Sequence, residues 1–235
     1  MDIWVLYLIG GIGLVFSLMV RWRMLSTYKK WHRPNMTGLS GGATAGVILD
    51  ANGMHDVRVV PAPGRLTDHY DPRRKIIRLS KVNYASPTVA AMAVSAHEAG
   101  HAIQDAKDYF PLEIRTAIAP LVNFAARFGI PAAILGGLFG MPLLITIGIL
   151  AYVGALLFQF LALPVEYDAS RRALKQLRTR NLATESELEG VRAVLRAAAL
   201  TYVAGVAAAA GFVVFIAISG GRALLGRKPP LPPSV

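Results

Sequence analysis

The sequence contains no cysteine and few charged residues. Without cysteine, disulfides, thiolate zinc knots and a thiol nucleophile are excluded, so any metal must be held by His, Asp or Glu. Such an absence is typical of protein that faces the cytosol, where disulfides are rare. Charged residues make up 17% of the chain, which is below the share of about 25% in soluble domains. The chain is therefore not composed like an ordinary soluble protein.

Hydrophobic residues make up 54% of the 235 residues and gather in long runs. The first run, residues 3–20, carries no charge and is long enough to cross a bilayer. Residues 117–163 suit two further spans with a break at 136–142, and residues 199–219 suit a fourth. Because Asp2 precedes the first run and basic residues follow it, we expect a retained anchor rather than a signal peptide. The pattern predicts a mainly α, polytopic membrane protein with about four transmembrane helices.

The basic residues indicate the orientation of these spans. Of the 25 Lys and Arg residues, 21 lie in two less hydrophobic regions, 21–115 and 164–196. Four spans place both regions on one side, and the positive-inside rule makes that side cytoplasmic. The basic residues flank apolar runs instead of forming a stripe with polar or aromatic partners. The expected partner is therefore the lipid bilayer and not nucleic acid.

Region 21–115 is predicted to be a small α+β unit. In "LSGGATAGVILDANGM", Ser40 is a suitable helix cap and Gly53 can end the helix. "DVRVV" and "KIIRLS" predict two short strands with a long, turn-rich connection, and Ser86 and Pro87 suit the start of the next helix. "GLSGG" formally matches G-x-S-x-G, but no strand precedes it, so a helix cap is favoured over a nucleophile.

The stretch "AVSAHEAGHAIQD", residues 93–105, has the residue types of a zinc-hydrolase site. His97 and His101 are four apart, so on a helix both rings can face one ion. Glu98, beside the first histidine, can take a proton from an attacking water molecule and pass it to the leaving amine. The competing interpretation is a pair of polar residues in an alanine-rich helix.

A catalytic zinc commonly has three protein ligands, and Glu166 in "LPVEYDASRRAL" is the candidate for the third. It begins the second cytoplasmic region, so the predicted topology brings it to the side of the two histidines. The alternative is a charge cluster at headgroup level, in which Glu166 pairs with Arg171 or Arg172.

The sequence thus divides into seven predicted parts. The transmembrane helices are residues 1–20, 117–139, 141–163 and 199–219. Between them lie a cytoplasmic zincin-like region with the HExxH helix, 21–115, and a cytoplasmic helix with the third zinc ligand, 164–196. Residues 220–235 are predicted to form a flexible tail.

HExxH followed by "EYDAS" resembles the gluzincin pattern. "LTDHYDP", "HEAGHAIQ" and "PVEYDASRRAL" together resemble the bacterial YugP-like neutral membrane zinc metallopeptidases. The resemblance implies one zinc ion per chain held by the two histidines and Glu166, with Glu98 as general acid and base, in the bacterial inner (plasma) membrane. Related gluzincins often have an aspartate four residues after the ligand glutamate, where this chain has Ser170. Either Ser170 or nearby Asp168 could support the ligands.

Two further residues are candidates for a supporting role or a substrate contact. His69 could stabilise a tetrahedral oxyanion or contact substrate, but a turn residue bonded to Asp68 or Asp71 is the favoured interpretation. Asp105, four residues after His101, suits the support of a ligand ring as well as it suits a solvent-facing position.

The leading hypothesis is a membrane-embedded zinc endopeptidase acting on peptides or membrane-associated proteins at the cytoplasmic membrane face. An extended substrate could pair with a sheet edge in the segment from Val57 to Leu79. The alternative is a non-catalytic membrane scaffold or partner-binding subunit with a structural zinc, for which Glu98 would have no use. A transporter is disfavoured because the spans hold few polar residues. A homo-oligomer or a membrane partner is compatible with the small residues of the spans.

Overall fold

The computed structural model describes residues 3–225, without the side chains of residues 3–10, 126, 130, 134, 137 and 208–225. The described chain is mainly helical, with a small sheet. The helices are α1 (Ile3–Lys30), α2 (Gly41–Asp50), α3 (Lys81–Ala85), α4 (Val89–Asp105), α5 (Phe110–Phe139), α6 (Pro142–Thr179) and α7 (Glu185–Leu225). The strands are β1 (Arg58–Ala62), β2 (His69–Asp71) and β3 (Ile76–Ser80). Of the predicted tail, residues 220–225 continue α7 and residues 226–235 lie outside the described part.

The sheet has the strand order β1-β3-β2, with β1 parallel and β2 antiparallel to β3. The two predicted strands are confirmed as β1 and β3. The connection between them was expected to be turns only, which is wrong, because it contains β2. Asp68 accepts a hydrogen bond from the Ser80 backbone N–H at 2.7 Å, and this contact holds β2 in register beside β3.

The helix that carries the HExxH residues, α4, is buried on nearly all sides. Fourteen of its 17 residues are buried, and most of them are alanine, so the neighbouring helices can approach closely. Its N-cap is Thr88, whose side-chain oxygen accepts from the Ala91 N–H at 3.3 Å. The predicted start at Ser86 and Pro87 is wrong because Ser86 ends the short helix α3. The predicted Ser40 cap of α2 is confirmed.

The closest approach of α4 to α6 is at Gly100. A Cβ atom on Gly100 would lie 2.5 Å from the carbonyl oxygen of Ala169 on α6. We therefore expect Gly100→Ala to force the two helices apart, to cost about 1–3 kcal/mol and to lower the melting temperature in detergent. Gly46→Ala on α2 is the matched control, because nothing lies within 4 Å of its added Cβ. Intrinsic-fluorescence melts compare the two variants, and equal melting temperatures would contradict this packing argument.

The longest helices, α5 and α6, form an antiparallel hairpin. Gly140, with φ of 63°, ends α5, so the predicted break at 136–142 is confirmed. The predicted single helix 164–196 is wrong. The chain turns between α6 and α7 at Asn181, whose φ of 53° no helix accommodates. Glu166 consequently lies within α6, which passes unbroken through Pro164.

Two helices of the described part are long and apolar enough to cross a membrane: α6 and the Glu185–Ala207 part of α7. Only 6% of the most apolar stretch of α6 is buried, whereas the core helix of a soluble protein would be mostly buried. Large apolar side chains are also exposed on α5 and α6, including Leu121, Phe124, Leu138, Leu143, Leu150 and Leu157. An exposed apolar surface of this extent marks a contact with membrane or protein. The expected total of four transmembrane helices stays a prediction.

Candidate metal centre

The three predicted zinc ligands meet at one point, although Glu166 is 69 residues from His97 in the chain. Nε2 of His97 lies 3.0 Å from Oε2 of Glu166, and Nε2 of His101 lies 3.7 Å from Oε1. One ligand atom of each residue lies within 4.8 Å of the other two. Ligand atoms of a tetrahedral zinc are about 3.3 Å apart when the bonds are about 2.0–2.2 Å long. The two measured separations lie on either side of that value, so the residues fit the ion.

The buried side chain of Gln104 sets the tautomer of His101. The Gln104 amide nitrogen donates to the Val165 carbonyl oxygen at 2.9 Å and to Oδ2 of Asp168 at 3.0 Å. With the NH2 group turned to these two acceptors, the amide oxygen faces Nδ1 of His101 at 2.9 Å. Nδ1 must then carry the proton, and Nε2 keeps its lone pair for a metal.

The supporting position that the sequence left open between Asp168 and Ser170 is shared by both. The Ser170 hydroxyl lies 3.2 Å from Nδ1 of His97. Asp168 contacts Gln104 and so acts on the other histidine through an intermediate residue. Asp168 is also the carboxylate that pairs with Arg171 and Arg172, each at 2.5 Å. The alternative in which Glu166 pairs with one of these arginines is therefore wrong.

Glu166 has two contacts that sequence reasoning missed. Nη2 of Arg115, near the start of α5, lies 2.9 Å from its Oε1. The Tyr202 hydroxyl, on α7, donates to the same oxygen at 3.0 Å. Neither residue belongs to a recognisable motif, because each reaches the site only through the packing of long helices. Gln104 had a weak signal, since it is a polar residue three positions after His101 on a buried helix.

Glu98 is buried and lines the same cleft as the three candidate ligands. Burial raises the pKa of the Glu98 carboxyl to about 7; His97 opposes this rise and the negative charge of Glu166 adds to it. A carboxyl that titrates near neutral pH can both accept and release a proton under ordinary conditions, as a general acid and base must.

His69 and Asp105 do not contact the histidines. Nδ1 of His69 lies 2.7 Å from the Thr67 carbonyl oxygen, so the predicted bond to Asp68 or Asp71 is wrong. His69 nevertheless lines the cleft, and its role as a substrate contact stays a prediction. Asp105 accepts from the Tyr70 hydroxyl at 2.7 Å and lies 3.3 Å from Nζ of Lys75. Asp105 thus joins β2 to the end of α4 instead of supporting a ligand ring.

The site lies in a cleft of about 690 Å³, within the range of known small-molecule sites. Its walls come from β2, α4, α5, α6 and α7. The α5 wall includes Asn123, and the α7 wall includes Thr201 and Tyr202. The ligands therefore face an open volume, which is the arrangement of a catalytic metal site rather than of a closed structural one.

Gln104→Leu is expected to weaken zinc binding by about 10–100-fold, because His101 loses the partner that orients its ring. Gln176→Leu, the same replacement on α6 away from the cleft, should bind zinc like the wild type. Competition with a chromophoric chelator measures both affinities. Wild-type affinity in the Gln104 variant would show that the amide does not position the ring.

Comparisons with known proteins agree with this geometry. A family model described as "Putative neutral zinc metallopeptidase" matches residues 6–219. The chain is 42% identical over 198 residues to "Putative membrane protease YugP" of Bacillus subtilis, over 83% of this chain and 87% of that protein. No solved structure matches the chain.

Proposed function

This chain belongs to the neutral zinc metallopeptidase family, as its three sequence blocks indicated, and we propose that it is a membrane zinc endopeptidase. The observation that carries the proposal is the convergence of His97, His101 and Glu166 in an open cleft beside Glu98. A zinc ion held by these three residues supplies a Lewis acid that polarises a carbonyl and acidifies water. A scaffold with a structural zinc is less well supported, because it needs neither the cleft nor a buried carboxyl beside the ligands.

The residues of the chain divide the remaining work. Glu98 takes a proton from the attacking water and returns it to the nitrogen of the leaving amine. Arg115 and Tyr202 hold Oε1 of Glu166, which leaves Oε2 directed at His97. Both contacts keep the carboxylate in one orientation, so the ligand set is organised before substrate arrives.

The outer edge of β2 suits an extended peptide substrate. β2 pairs only with β3 in the sheet, so its other edge is open within the described part of the chain. His69 and Tyr70 of this strand line the cleft that contains the ligands. An incoming peptide can add to such an edge as a further strand, with its backbone crossing the site. Cleavage inside a chain, rather than at its end, follows from binding along an edge.

We infer that the site lies at the cytoplasmic face of a bacterial inner membrane, and that α1, α5, α6 and α7 are the four membrane helices. Exposed apolar side chains on all of the three helices α1, α5 and α6 support this placement. Asn123 and Tyr202, from the apolar parts of α5 and α7, reach the cleft. Membrane-associated proteins or peptides are therefore the proposed substrates. A homo-oligomer or membrane partner remains part of the proposal only as a way to cover these faces.

The proposal is tested with the full chain in detergent and a complex peptide mixture. Mass spectrometry should detect new ends produced by internal cuts, which disappear with 1,10-phenanthroline and return with added zinc. Cuts confined to chain ends would replace the endopeptidase with an exopeptidase. A zinc-loaded protein that cleaves nothing in solution or in liposomes would favour the scaffold.

A further inference from the structure

A second cavity, of about 400 Å³, lies between α6 and α7 and is lined by five basic residues. We call it the basic groove and define it by Arg171, Lys175, Arg178, Arg192 and Arg196. No acidic side chain lines it. It is separated from the metal cleft by a shared wall that includes Ser170.

Three of the five cations have no acidic partner. Arg171 pairs with Asp168 and Arg178 pairs with Glu185, but no ion pair of the described residues involves the other three. These are Lys175, Arg192 and Arg196. The last two are four residues apart on α7, where like charges repel and destabilise a helix. The positive-inside rule accounts for basic residues near a membrane, but it does not account for their convergence from two helices on one cavity.

The position of the basic groove along the two helices indicates its ligand. It begins at Tyr167, four residues after the predicted third membrane span, and at Ala199, where the fourth predicted span starts. Tyr167 is 74% exposed, and exposed tyrosines are typical of the headgroup level of a bilayer. Arginine forms paired hydrogen bonds with phosphate oxygens. The cations therefore lie where the phosphates of a bilayer would reach them.

We propose that the basic groove binds the headgroup phosphate of an anionic phospholipid. The apolar tails would then lie along the exposed faces of α6 and α7, which a free phosphate could not use. A phosphate bound there would be one side chain away from His97, because Ser170 lines both cavities. This inference rests on the proposed membrane placement of α6 and α7 but not on peptidase activity.

Native mass spectrometry of the full chain in neutral detergent tests the inference. Given equal amounts of phosphatidylglycerol and phosphatidylcholine, the wild type should retain the anionic lipid with at least about tenfold preference. The variant with Lys175→Gln, Arg192→Gln and Arg196→Gln should lose this preference. The control variant removes three exposed basic residues elsewhere: Arg58→Gln, Lys81→Gln and Lys107→Gln. It should retain the wild-type preference.

Each outcome decides. Equal loss in both triple variants would mean a general surface-charge effect and would overturn the basic groove as a site. Displacement of the lipid by millimolar inorganic phosphate would assign the basic groove to free phosphate instead. If the triple variant aggregates on gel filtration, the single exposed replacements Lys175→Gln and Arg196→Gln carry the test, and unchanged preference in both would contradict it. A protein that cleaves no peptide yet retains phosphatidylglycerol would overturn the peptidase and keep the lipid site.

Discussion

Glu98→Gln is expected to keep its zinc and to lose peptide hydrolysis by about 10²–10⁴-fold. The amide has the size of the carboxyl but cannot take the proton of the attacking water. Because burial already disfavours the charged form of Glu98, a neutral amide at this position should not destabilise the fold. The loss should therefore appear in kcat, with zinc content and melting temperature close to those of the wild type.

The measurement compares peptide cleavage, zinc content and thermal unfolding of the same detergent preparation. Glu113→Gln is the matched control, since Glu113 is exposed on α5 and does not line the cleft. It should cleave like the wild type. Undiminished hydrolysis by the Glu98 variant would remove Glu98 as the general acid and base, whatever the metal content.

Glu166→Ala is expected to reduce bound zinc from about one ion per chain to a small fraction. A missing ligand should cost more than the roughly 10–100-fold loss in affinity that follows from changes around the ligands. The variant also leaves Arg115 and Tyr202 without the carboxylate oxygen that they share. Elemental mass spectrometry of zinc, after dialysis against a weak chelator, gives the ratio directly.

Two further variants make the zinc result decisive. Glu113→Ala should keep full zinc, which controls for the loss of a carboxylate as such. Glu166→Gln keeps the volume and a hydrogen-bonding oxygen, so it separates ligand loss from a folding defect. Full zinc in both Glu166 variants would exclude Glu166 as the third ligand and leave only the two histidines of the predicted set.

The local parts of the site could be predicted from neighbouring residues. The four-residue spacing of His97 and His101 requires only that the stretch be helical, and a helix follows from its alanine content and period. Ser40 likewise acts within its own turn. The break at 136–142 depends on Gly140, whose left-handed conformation suits glycine.

Other expectations failed where two local preferences competed. The segment with β2 contains proline, glycine and aspartate, which favour turns, and its three paired residues form a strand only because β3 lies beside them. The segment 164–196 has helical composition throughout, and the turn at Asn181 reflects the packing of α7 back against α6. Pairing partners supplied by distant residues decided both cases.

The chain's own pattern of residues was sufficient for its apolar helices, its zinc-binding histidine pair and the nomination of Glu166. Only the tertiary structure decided which groups orient those ligands. Gln104 finds Asp168, and Glu166 finds Arg115 and Tyr202, through contacts between helices far apart in the sequence. Helical spacing predicts which residues share a face, but it carries no information on which faces meet. That choice is made by the close approach of small residues such as Gly100 to the neighbouring backbone.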